Sequence, residues 1–133
     1  MGTKGVRVLS QYKIITTIAV HDIENAVDFY ENVLGLKRVE LNNAGHVFEG
    51  GAGGHIGLHQ SPTAGSGQAT VAWWVVDDVE KTVKDLKARG VTFEKNYDLP
   101  MTERRGDIYI LDDTQRAAWF KDPDGNILGI GNF

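Results

Sequence analysis

Cysteine is absent from this 133-residue chain, which removes disulfides and thiolate chemistry and fits a reducing compartment, with the cytoplasm as the default. Long apolar runs are missing too: nothing approaches the ~18 consecutive apolar residues of a membrane span. The opening "MGTKGVRVLSQ" lacks the apolar stretch of a secretory signal, so residues 1–11 are expected to be an N-terminal tail beside the folded part. Nor is there an excess of one charge: 14 Lys and Arg stand against 18 Asp and Glu, for a net charge of −4. Without a basic excess no footprint for phosphate or anionic lipid forms, so neither nucleic acid nor a membrane is an expected partner. The one basic run, Arg104 and Arg105, adjoins Glu103 and Asp107 and reads as a solvated loop. What remains, 41% hydrophobic and 24% charged, describes one soluble globular domain with enough chain for a single core.

The chain carries an internal repeat. "AVHDIENAV" (Ala19 to Val27) and "VVDDVEKTV" (Val75 to Val83) share Val, Asp, Glu and Val at an offset of 56 residues. Each copy opens with a β-branched run, "KIITTIAV" or "ATVAWWVV", that ends at an aspartate suited to capping a helix. In the first helix Ile23, Ala26, Val27, Tyr30, Val33 and Leu34 form one apolar stripe, and Gly35 ends it; in the second Val79, Val83 and Leu86 do so, and Gly90 ends it. Strand-like runs follow: "KRVEL", "HVFEG" and "HIGLHQ", then "VTFEK", "RAAWFK" and "NILGIG". The pattern predicts an α+β fold of two βαβββ modules, 12–60 and 69–133, joined by a linker at 61–68 within one domain, 12–133. The second copy contains a long insertion, "NYDLPMTERRGDIYILDDTQ", with an extra strand expected at "DIYIL".

Strand, capped helix ending in "FYENVLGL", hairpin, second copy with "VVDDVEKTVKDLKARGV" and then "AAWFKDPDGNI": this order resembles the vicinal oxygen chelate superfamily, which includes glyoxalase I, extradiol dioxygenases and bleomycin resistance proteins. The resemblance, over Tyr12 to Phe133, is strongest to small glyoxalase-like members. It implies curled mixed sheets forming an open cup, commonly within a homodimer, with a ligand or a divalent metal inside. The resemblance places the four metal positions at Ile15, Gly57, Val71 and Gly129. None offers the lone pairs a divalent ion needs, so no metal and no other cofactor is expected. In "KDPDGNILGIGNF", Gly129 and Gly131 point the same way, and the bare strand face there is expected to admit a ligand against the backbone. "DPDGN" itself reads as a turn with no catalytic role.

His55 and His59 form H-x3-H, but on a strand they lie roughly 13 Å apart, too far for one mononuclear ion. Both share parity with Gly57. If the "GGAGG" hairpin is regular, Glu49 lies across from His55, a candidate acid/base couple, with solvated charges at a hairpin end as the plainer alternative. Trp73 is expected toward the cup and Trp74 toward the core, because neighbours on a strand leave opposite faces. Trp119 and Tyr109 are further candidates for ligand contact or for simple packing. His21 and His46 are expected to face solvent.

The expected ligand contacts are thus Thr17, His55, Gly57 and His59 from the first copy. Trp73, Tyr109, Trp119 and Gly129 come from the second. The leading expectation is a metal-independent protein that binds a small organic molecule, aromatic or drug-like, as a cytoplasmic homodimer. The alternative is an enzyme of the same superfamily, a lyase, isomerase or dioxygenase type. It would be metal-free through Glu49, His55 or Tyr109, or would hold metal through ligands placed elsewhere.

Overall fold

A computed structural model describes residues 8–39, 46–95 and 102–132. After a single 3₁₀ turn at Leu9–Gln11, β1 (Thr16–Val20) leads into α1 (Ile23–Asp28). Asp22 caps this helix, its carboxylate accepting from Asn25 N at 3.2 Å. The sequence predicts one helix through Leu34. Instead the α-helix closes at Asp28 and the chain widens into a π turn over Phe29–Val33, with Leu34 N donating to Phe29 O. The widened turn contains Tyr30, whose buried ring reaches the second module. Gly35, at φ +76°, ends the segment. Then come β2 (Lys37–Val39), β3 (His46–Gly51) and β4 (Gly54–Gln60), and the sheet runs β1-β4-β3-β2 with β1 parallel to β4. The part of "KRVEL" beyond Val39 lies outside the described residues.

The second module repeats the plan. β5 (Thr70–Val75) is followed by α2 (Val79–Ala88), capped by Asp78 accepting from Lys81 N at 3.0 Å. β6 (Glu103–Arg105), β7 (Ile108–Ile110), β8 (Arg116–Lys121) and β9 (Ile127–Gly131) complete a sheet ordered β5-β9-β8-β7-β6. Two expectations change here. "VTFEK" is no strand but a single bridge, Phe93 to Phe120, because β7 already pairs with the opposite end of the same edge of β8. Arg104 and Arg105 lie in the edge strand β6, paired with Tyr109 and Ile108, rather than in a loop; both remain exposed.

Alternation along the strands sends Ile18, Val20, Phe48, Ile56 and Leu58 of one sheet, and Ala118, Phe120, Leu128 and Ile130 of the other, into a shared core with Ala26 and Tyr30 of the first helix and Val79 and Val83 of the second. Trp74 packs there as expected, stacked on Phe120. The edges of β1 and β5 meet.

The joint between the modules is polar. Asp122, 5% exposed, opens the turn from β8 to β9. Its carboxylate accepts from the Tyr30 hydroxyl at 2.8 Å and from Asp124 N, Asn126 N and Asn126 Nδ2 at 2.9 Å each. Asn126 Nδ2 also donates to Ala19 O, and Asp124 Oδ1 accepts from His21 N. Gly65 of the linker packs so closely on Asp124 that a Cβ there would overlap its carbonyl oxygen. Burial first, and the charge of Asp122 second, push the Tyr30 phenol far above its ordinary pKa, so it stays a donor. A further tie holds the β6–β7 turn: Asp107, its side chain 10% exposed, meets Lys87 of α2 at 2.6 Å and Lys95 at 3.7 Å. The hydrogen bond from Lys87 holds the Asp107 carboxyl below its usual pKa. Among the described residues no helix is long and apolar enough to cross a membrane.

Two stability tests follow from these joints. Tyr30→Phe keeps the ring but removes one hydrogen bond to a buried carboxylate, and urea unfolding should show a loss of about 1.5–3 kcal/mol with an unchanged m-value. Asp107, with its pKa depressed in the fold, adds stability above its unfolded pKa and loses it as pH falls through the folded one. Asp107→Asn should therefore be less stable than the parent at pH 7, and the gap should close in acid; a gap independent of pH would remove the ion pair as its cause.

Candidate aromatic site

The bare strand face turns out to be furnished by the protein's own rings. In the second sheet Trp73, Gly129 and Trp119 are consecutive register partners across β5, β9 and β8, on the face turned away from the helices. A Cβ on Gly129 would overlap Cε3 and Cζ3 of Trp73 and lie 3.2 Å from Nε1 of Trp119. The space expected for a ligand against the Gly129 backbone is therefore taken by an indole. Trp73 meets Trp119 edge to face at 5.5 Å between centroids, and Trp119 meets Tyr109 likewise at 5.2 Å. Trp119 Nε1 donates to Thr70 Oγ1 at 3.1 Å, which fixes the middle ring. Tyr109 is 3% exposed, and its row continues through Ala117 to Gly131, two small residues beside the rings. The structure thus assembles Trp73, Trp119, Tyr109 and Gly129 into one cluster.

The first sheet offers less. Thr17, Gly57 and Val47 are register partners, and Ile15 Cγ2 stands 3.2 Å from where a Cβ on Gly57 would be. Thr17 and His59 are exposed. Glu49 and His55 are indeed paired across the hairpin, yet among the described residues neither a hydrogen bond nor an ion pair joins them; His55 Nδ1 instead lies 3.1 Å from Gly53 O. A register shift follows this pair, between Glu49 and Gly51. His21 is exposed, as expected, whereas His46 is half-buried and its Nδ1 accepts from Arg38 Nη2 at 3.1 Å.

Two cavities flank the hairpin tip. One, of about 510 Å³, is lined by His55, Trp73, Thr16, Ala72 and Val75 together with Gly50, Gly51, Ala52, Gly54, Ile56 and Trp74. The other, of about 360 Å³, lies toward the helices and includes Glu49 but not His55. Glu49 and His55 are paired in register but not joined, and Tyr109, on the other sheet, lines neither cavity. Sequence reasoning missed Thr70 as the partner of Trp119, and it missed the glycines of the hairpin tip as cavity wall. For Thr70 the only signal was its place at the start of the strand that carries Trp73.

A divalent metal of the kind the superfamily often holds does not fit these residues. Ile15, Gly57 and Gly129 bring no donor atom, and Val71 sits in a register shift of β5. Among the described residues there is no group of three or more His, Cys, Asp or Glu able to hold an ion.

Residues 14–130 match the family model of the Glyoxalase/Bleomycin resistance protein/Dioxygenase superfamily, and the chain belongs to that family. Among solved structures, it is 26% identical to TnmS3, an antibiotic binding protein from Streptomyces sp. CB03234, covering 91% of this chain and 94% of that one at a TM-score of 0.63. A superfamily member from Sphaerobacter thermophilus DSM 20745 is 28% identical, with 92% and 97% covered and a TM-score of 0.62. A glyoxalase/bleomycin resistance protein from Streptomyces sp. CB03234 is 26% identical, with 90% and 98% covered and a TM-score of 0.60.

If Trp73 and Gly129 fill one space between them, their substitutions must couple. Gly129→Ala alone should cost about 1–3 kcal/mol by overpacking, and the same change in a Trp73→Ala background should cost much less. Additive losses in a double-mutant cycle would show that the ring does not depend on the bare strand.

Proposed function

We propose that this protein binds a small, partly planar organic molecule without the help of a metal, at the face formed by Trp73 and Trp119, with the buried Tyr109 packed on Trp119 in support, and the cavity beside His55. The observation that carries this reading is the indole of Trp73 lying over Gly129, one of the four positions at which the family resemblance sets a metal ligand. A site filled in this way loses the capacity for Lewis-acid chemistry at that point and gains ring surface for stacking. The cavity of about 510 Å³ next to Trp73 has a size suited to a drug-like ligand. His55 at its wall supplies one polar contact, while Thr17, Gly57 and His59 lie on β1 and β4 outside the cavity lining. The antibiotic-binding role of TnmS3 supports the same class of ligand.

The working form is proposed to be a cytoplasmic homodimer. Val75, 68% exposed on β5, and Tyr12 and Ile14 ahead of β1 leave large apolar side chains uncovered near the meeting edges, which a second copy would bury. The two modules and their linker act as one binding unit in this reading.

Protein purified without chelators should carry no stoichiometric Ni, Zn, Mn or Fe and should sediment at twice the mass of its 14.6 kDa chain. Its melting temperature should rise with bleomycin or a planar polycyclic antibiotic such as daunorubicin. Trp119→Ala should weaken that binding about tenfold or more. Tight stoichiometric metal, or turnover of the bound compound, would reject the proposal.

A further inference from the structure

The cavity of about 360 Å³ on the helix side plays no part in the reading above. Leu34 and Leu36, which follow the first helix, form one wall; Thr82 and Leu86 of α2 form another, and Trp74 and Phe120 close it from the second sheet. The partly buried Trp74 ring stacks at 22° on the buried Phe120 ring, with centroids 6.5 Å apart, so Trp74 supplies the aromatic wall. Leu34, Leu36, Trp74 and Leu86 pack on the core yet are only partly buried. The seam between the modules is therefore apolar and unfilled, and water entering it finds few hydrogen-bond partners. Lys37 and Glu49, register partners on β2 and β3, border the cavity with one charge of each sign, so its rim favours no ion.

We infer that this seam is a second ligand site, separate from the Trp73–Trp119–Tyr109 face, that takes a neutral, flat, two-ring aromatic molecule. The guest lies against the Trp74 ring and is clamped by leucines from both modules, so its binding adds contacts across the seam. Its polar substituent, if any, points to the open rim between Lys37 and Glu49. The site does not depend on the aromatic face being functional.

The test uses 2-naphthol and the full chain. Amide and indole signals followed by ¹H–¹⁵N spectroscopy should show saturable shifts at Gly35, Thr82, Leu86 and the Trp74 indole. Two variants that fill the seam from partly exposed positions, Leu86→Trp and Thr82→Phe, should each weaken binding about tenfold or more. Their spectra report whether they are folded. Shifts confined to Trp119 and Tyr109, no saturable binding, or undiminished affinity in a folded filling variant would overturn the inference. If neither variant folds, the shift map on the parent protein decides alone.

Discussion

The carboxylate of Asp122 is the fixed point of the molecule. It is buried, charged and expensive to strip of water, and the fold compensates with four donors, three from its own turn and one from Tyr30 of the other module. Because the same turn sets how β9 runs back along β8, the register that places Gly129 beside Trp119 is tied to the bond that holds the modules together. Asn126 and Asp124 extend the tie to the end of β1 and its following loop. Apolar packing across the seam is incomplete, so this polar joint does more of the orienting than a fully closed core would require.

The second constraint is spatial. Two bulky indoles on the strands either side of β9, on one face, need somewhere to lie, and the bare Gly129 of β9 between them provides it. The glycine at 129 is thus best understood through Trp73.

The architecture was legible because its signals are local and repeated. Capping aspartates, apolar stripes and terminating glycines at a 56-residue offset predict both helices and most strands, and the structure places Asp22 and Asp78 as caps. Two features were not local and could not be read. The fate of "VTFEK" depended on competition with β7 for one edge of β8, and the burial of Asp122 depended on Tyr30, 92 residues away. The site was legible only in part for the same reason. Strand parity correctly sent Trp73 and Trp74 to opposite faces. Whether the room above Gly129 was empty turned on a rotamer that parity does not specify, and the pairing of Glu49 with His55 gave their register without their surroundings.

β9 occupies the interior of its sheet, flanked by β5 and β8, yet it follows both in the chain. During synthesis those two strands emerge with bare inner edges, Trp73 and Trp74 on one and Trp119 on the other, unable to close on one another until the strand between them arrives. Nascent chains arrested or clipped before Asn126 would keep those edges unpaired, as the first sheet does until β4, which likewise lies between the earlier β1 and β3, is made.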